Sequence, residues 1–234
     1  MNSLTRRSFL SGASALGLAA GVGSTAEAQL VWKTNDWRIA DFEALVHHTA
    51  RVKQVYDVVQ INSGRFLNNV KNSLNGLEFG FGVPREQIKI AVAMHGPANL
   101  LNYDDFIWSK YQIGEWLKVI DPETGKAAVR NPFVKSTKSS GHDFHGTDPD
   151  KEDTQYQDTS MEALRARGVQ FMSCHTATEE QARVLIRVKN LTQTPEEIVR
   201  EMMAHTVEGT LVVAAMVAAI ALLQAEGRYT YITV

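Results

Sequence analysis

Two apolar runs rich in β-branched residues, Val55-Tyr-Asp-Val-Val-Gln-Ile61 and Ile88-Lys-Ile-Ala-Val-Ala-Met94, each stop at a turn signal and each precede a segment of helical periodicity. The first run ends at Asn62-Ser63-Gly64, after which Phe66, Leu67, Val70, Leu74 and Leu77 recur at helical intervals until Gly80 and Pro84. The second ends at His95-Gly96-Pro97, and Tyr103 to Trp116 follows as a second, aromatic-rich helix. Strands separated by helices of this length imply parallel neighbours, because a parallel pair needs a long crossover and a helix supplies it.

The same grammar returns near the C-terminus. Met161 to Arg167 reads as a helix stopped by Gly168, and Val169-Gln-Phe-Met-Ser-Cys174 as a third strand. Thr178 to Val188 and Pro195 to His205 read as helices, the second capped by Thr194 with Pro195 in its first turn. Thr210 to Val213 is a fourth strand, Ala214 to Ala225 a core helix closed by Gly227, and Tyr229 to Val234 a closing strand. The uncharged stretch Gly209 to Leu223 is fifteen residues long, short of the roughly 20 that span a bilayer. The expected fold is a three-layer, flavodoxin-like α/β domain with a mostly parallel sheet of about five strands.

Two segments stand outside that pattern. Ile39, Phe42, Leu45 and Val46 give residues 36 to 50 the periodicity of an amphipathic helix within an N-terminal extension, 29–52, ahead of the domain at 53–234. Residues 119 to 159 are polar, weakly periodic and hold three of the chain's six prolines. So long a loop inside a compact domain reads as a functional insertion or lid.

The first 28 residues read as an address. Arg6-Arg7-Ser8-Phe9-Leu10 precedes a mildly apolar run, Ser11 to Gly23, and Ala26-Glu27-Ala28 fits a small-x-small cleavage site before Gln29. Paired arginines ahead of a weakly hydrophobic stretch match a twin-arginine signal, which places a folded cargo in the bacterial periplasm with the twin-arginine translocase as a transient partner. The formal net charge of −2 becomes slightly more negative without Arg6, Arg7 and Glu27. It favours neither nucleic acid nor an anionic membrane as partner. A single cysteine, Cys174, excludes an internal disulfide. A lone thiol in an oxidising compartment is either buried and inert or kept for its reactivity.

Several stretches taken in order resemble a known family. Strand-then-His95-Gly96, Gly168-Val169-Gln-Phe-Met-Ser-Cys174 and the ending Leu223-Gln-Ala-Glu-Gly227-Arg-Tyr-Thr-Tyr-Ile232 resemble the DsrE/DsrF-like proteins of sulfur metabolism. Lys71-Asn-Ser-Leu-Asn75 with Phe79-Gly-Phe-Gly82 resembles an exported twin-arginine branch of that family. The resemblance implies a flavodoxin-like domain, a homo-oligomer, and a cysteine that in some members carries persulfide sulfur; Cys174 occupies that cysteine's place in the motif. The long insertion, the N-terminal extension and the export signal depart from the sulfur-relay members.

Independently of the family, ligands on parallel sheets bind beyond the C-terminal strand ends, where Asn62-Ser63, His95-Gly96 and Cys174-His175 are expected on one rim. The nucleophilic form of cysteine is the thiolate, so the expected site is Cys174 with His95 and His175 as polar neighbours that stabilise it. The competing readings are a packed, inert Cys174 and turn histidines bonded to backbone. His142 and His145 have a spacing that permits a shared metal, but no third ligand accompanies them, so neither metal nor cofactor is assigned. Nucleophile-elbow, dinucleotide, P-loop, zinc-protease and Cys-x-x-Cys signatures are all absent from the sequence.

Overall fold

The computed structural model describes residues 31–136 and 146–234. The segment expected to be a twin-arginine signal with its cleavage site, and the pair His142 and His145, lie outside the described residues.

After the helix α1 (Ile39–Val46) comes β1 (Val52–Val58), then α2 (Arg65–Asn75), β2 (Ile88–Met94), α3 (Asp105–Lys110), α4 (Ile113–Leu117) and α5 (Met161–Ala166). The rest is β3 (Gln170–Cys174), α6 (His175–Lys189), α7 (Pro195–Ala204), β4 (Leu211–Val213), α8 (Met216–Ala225) and β5 (Thr230–Thr233). The strands form one five-stranded sheet in the order β4-β3-β2-β1-β5, and every pairing is parallel. The chain is thus a layered α/β domain whose sheet is wholly rather than mostly parallel.

The order explains which helix covers which face. From β1 through β4 the chain steps steadily in one direction across the sheet, and right-handed crossovers then stack every connecting helix on the same side. The step from β4 back to β5 runs the other way, so α8 must lie on the opposite side. The core divides accordingly. Apolar residues of α2 to α7, among them Val70, Trp108, Met161, Leu185 and Met202, pack on Tyr56, Ile90, Val92, Met94 and Phe171. On the other face α1 and α8 contribute Phe42, Leu45, Met216, Ile220 and Leu223 against Val55, Ala91, Ala93, Met172, Cys174 and Val213. The first face is broad and the second narrow, because the alternation along β2 sends Ile90, Val92 and Met94 to one side and Ala91 and Ala93 to the other.

The single helix expected over Tyr103–Trp116 is two, broken at Gln112, whose φ of 51 lies in the left-handed region. The break lets Trp108 and Ile113 both reach the core, and it seats Gly114 so closely on the insertion that an added Cβ would overlap the Ala128 backbone. The described parts of the 119–159 insertion are packed rather than loose. Asn131 donates to the carbonyls of Leu101 and Tyr103 at 2.9 and 2.8 Å, Asn75 donates to Tyr156 O at 2.9 Å, and Thr154, Tyr156 and Asp158 are buried.

Candidate functional site

Strand periodicity decides where the thiol points. Along Phe171-Met-Ser-Cys174, Phe171 turns to the broad face, Met172 to the narrow one, and Cys174 again to the narrow one. Ser173, on the broad side, donates its hydroxyl to Asn99 Oδ1 at 3.0 Å, and the same oxygen accepts the Cys174 N–H at 2.8 Å. Asn99 is fully buried, and its amide nitrogen donates to Thr178 Oγ1 and Gln181 Oε1 at 3.1 and 3.2 Å. The end of β3 is therefore held by a side-chain network that leaves little freedom to the backbone of residue 174.

The chain runs from Cys174 directly into α6, with Cys174 itself as the N-cap, three residues earlier than the sequence suggests. Thr178, expected at the helix start, instead bonds back through its hydroxyl to Cys174 O at 2.9 Å. Cys174 Sγ accepts the Ala177 N–H at 3.4 Å and the Met216 N–H at 3.3 Å. The first belongs to the opening turn of α6 and the second to the first residue of α8. The chain leaves β3 toward the broad face and leaves β4 toward the narrow face, so the crevice between these strand ends is the switch point of the sheet, the usual ligand position in open parallel folds. The positive ends of two helices meet at the sulfur. Burial nevertheless dominates: the thiol is 4% exposed and is pushed above its ordinary pKa by desolvation, against the opposing pull of the Ala177 and Met216 amides.

His95 and His175 lie in different surroundings. His95 lies one residue beyond β2, on the side of Asp57 and Ala93, and its Nε2 is 2.7 Å from Asp57 Oδ1. The second Asp57 oxygen accepts the Tyr231 hydroxyl at 2.5 Å. Tyr231 on β5, Asp57 on β1, His95 just past β2 and Cys174 at the end of β3 thus follow one another across adjacent strands on the narrow face. Among the described residues no hydrogen bond joins the Cys174 sulfur to either imidazole.

His175 is 3% exposed and lies under the Trp32 indole, with ring centroids 3.8 Å apart and planes 25° from parallel. Its Nδ1 is buried without a hydrogen-bond partner. Burial pushes its pKa down to about 4, so the imidazole is neutral at pH 7 and supplies no positive charge for a thiolate.

Asn62-Ser63, expected on the same rim, lines a cleft whose lining includes neither Cys174 nor His175. Asn62, Ser63 and Gly64 are three consecutive left-handed residues, φ 43, 54 and 72, that turn the chain from β1 into α2. Gly64 is needed twice there, for its φ and because a Cβ would lie 2.6 Å from the Phe133 ring. Against this turn opens a cleft of about 570 Å³ lined by Asn62, Ser63, Pro97, Lys118, Ile120 and Phe133, among others. Its far wall is the insertion.

Sequence reading missed Asp57, Tyr231, Asn99 and Trp32. Asp57 left a signal, since a carboxylate within Val55-Tyr-Asp-Val58 is out of place in a half-buried strand without a partner. Among the described residues no group of three or more His, Cys, Asp or Glu is placed to hold a metal ion. No described helix is long and apolar enough to cross a membrane.

No family model matches the sequence, and no curated protein matches it. Among solved structures, a protein of unknown function from Methanobacterium thermoautotrophicum, MTH1491, is similar with a TM-score of 0.37 and 16% identity. The alignment covers 78% of this chain and 99% of that one.

Proposed function

We propose that this protein is an exported, DsrE-like carrier that holds reactive sulfur on Cys174. The observation that supports the reading is the position of Cys174 Sγ at the switch point of the sheet, where it accepts one amide from the start of α6 and one from the start of α8. A sulfur anion gains from such donors, and a crevice between diverging helices is where this class of fold admits a ligand. The family resemblance and the twin-arginine motif point the same way from the sequence.

The transfer step is an exchange with no net oxidation. The Cys174 thiolate attacks the outer sulfur of a donor persulfide, the donor's S–S bond breaks with its electrons leaving on the donor thiolate, and a new S–S bond forms at Cys174. The Cys174 proton must leave first. Asp57 and His95 form a proton-accepting pair on the same face, with the carboxylate fixing the imidazole through Nε2. His175 is proposed as a neutral wall of the site. Burial of Cys174 keeps its sulfur away from adventitious oxidants, which suits a carrier in an oxidising compartment.

Incubation of the purified protein with a sulfane-sulfur donor, followed by intact-chain mass spectrometry, tests this. The native chain is expected to gain the mass of one sulfur atom, reversibly with reductant, and Cys174→Ser to gain none. Equal uptake by both chains sinks the proposal.

The cleft against Asn62-Ser63 favours a second reading, a binding module without chemistry. Its apolar walls and the insertion that closes it are those of a small-ligand site. Under that reading a native-source preparation carries a small molecule whose retention is lost in Ile120→Asp and unaffected in Cys174→Ser.

A further inference from the structure

Residues 31–38 reach the cysteine rim from outside the sheet. Lys33, Thr34, Asn35, Asp36 and Arg38 are exposed, and the hydrogen bonds of this stretch stay within it or pass to α1. Its short turn, Thr34–Asp36, is closed by Asp36 accepting the Lys33 N–H at 2.6 Å. Trp37 contacts only Phe42 among aromatic rings, 5.9 Å away. The next segment is fixed: α1 buries Phe42, Leu45 and Val46 in the narrow-face core, and Tyr229 donates its hydroxyl to Leu45 O at 2.8 Å. The stretch is therefore a locally folded arm on an anchored helix, and Trp32 on His175 is the aromatic contact that lays its end on the rim.

We propose that residues 31–38 are a strap latched by Trp32 over His175, and that release of this latch admits reagents and sulfur donors to the Cys174 thiol. The proposal rests on the reading of Cys174 as a reactive thiol, because a strap over an inert cysteine regulates nothing.

Two features make the latch releasable. At Trp32 the contact is one stacked ring pair with no hydrogen bond to the domain among the described residues, and Trp37 holds the base of the arm on the narrow-face core, so releasing the end breaks little. Closure leaves His175 Nδ1 buried without a partner, whereas the open form hydrates it, so the imidazole itself favours opening. Stacking and burial of the indole oppose this. The closed form thus prevails, with the open one a minor state of about 10% or below. When the strap is down, His175 and Cys174 are 3% and 4% exposed.

Alkylation of the folded, full chain by iodoacetamide reads the latch directly, since the reaction needs an accessible Cys174 and no sulfur chemistry. Trp32→Ala is expected to raise the second-order rate about tenfold, as expected when a protected thiol reacts through local opening. Trp37→Ala, on the same arm but off His175, is expected to leave it near the native rate. Hydrogen exchange of the β2 amides separates local release from general loosening and is expected to be unchanged in Trp32→Ala. Equal alkylation of Trp32→Ala and native protein overturns the strap, as does a rise accompanied by an equal loss of β2 protection. Neither result touches the carrier reading, which stands or falls on sulfur uptake by Cys174→Ser.

Discussion

The two faces of the sheet are made from the same strands and do different work. On the broad face α2 to α7 close over large side chains, and its polar members, Asn99, Ser173 and Thr178, are buried and bonded to one another. On the narrow face Ala91 and Ala93 let α8 approach closely, and beyond them the C-terminal strand ends carry Tyr231, Asp57, His95 and Cys174 in a row. The difference teaches that topology placed the row of polar residues. The reversal of chain direction at β4 sends α8 to the narrow face beside α1, and two helices cover less of the strand ends than the six on the other face.

If the broad face is the stability core, truncation there should cost most. Phe171→Ala empties a fully buried position on the broad face and is expected to destabilise the fold by about 3–5 kcal/mol. Urea unfolding monitored by far-ultraviolet dichroism measures it, and a cost below about 1 kcal/mol would dissolve the distinction between the faces.

The narrow face should instead respond to pH. His175 is neutral in the fold with a pKa lowered to about 4 from an ordinary 6.5. The stability it permits is complete above pH 6.5 and is lost as pH falls through that window toward 4, because the unfolded chain takes up a proton the fold resists. The loss by pH 4 is about 3 kcal/mol at most, and less to the extent that release of Trp32 lets the imidazolium reach water. Unfolding midpoints at pH 7, 5.5 and 4.5 check the direction, and Trp32→Ala is expected to flatten the dependence. A native protein no less stable at pH 4.5 would mean that His175 is already hydrated.

Overpacking gives the next smaller effect. Ala93 is completely buried between β2 and α8, so Ala93→Leu is expected to cost about 1–3 kcal/mol by forcing the helix outward. The same change should disturb the Met216 amide on Cys174 Sγ, since α8 carries it. If Ala93→Leu is neutral, the narrow layer has slack and the close approach of α8 is not what sets the site.

The fold was legible because its strands are β-branched runs between turn residues, and the alternation with helices leaves few topologies. The failures were local. β1 starts at Val52, whereas Lys53 and Gln54 disguise its first turns, and Val59-Gln60-Ile61, apolar enough to read as strand, lies past the last pair, Val58 with Met94. Thr178 has the composition of a cap and sits inside α6, because the Asn99 network fixes residue 174 first. The places of Cys174 and His95 at strand ends were legible. Their surroundings were not. Whether Asp57 meets His95, or Trp32 meets His175, depends on strand order and on the path of the N-terminal arm, which no local pattern encodes.

The smallest expected effect bears most on what the row of polar residues is for. Tyr231→Phe keeps the ring, which is 44% exposed on the edge strand, and removes only the hydroxyl that donates to Asp57. At an exposed edge the cost to stability is expected to be about 0.5–1 kcal/mol, because water replaces the donor. A loss above about 3 kcal/mol would make the phenol a structural strut rather than an orienting group. The small expected value is informative in itself. A carboxylate that fills one oxygen with a tyrosine and the other with an imidazole gains little stability at a half-open rim, yet it fixes the ring of His95 in one orientation on the strand beside Cys174. If Tyr231→Phe leaves stability nearly intact and slows sulfur loading at Cys174, the row serves the thiol; if it slows neither loading nor alkylation, Asp57 and His95 belong to the sheet edge alone.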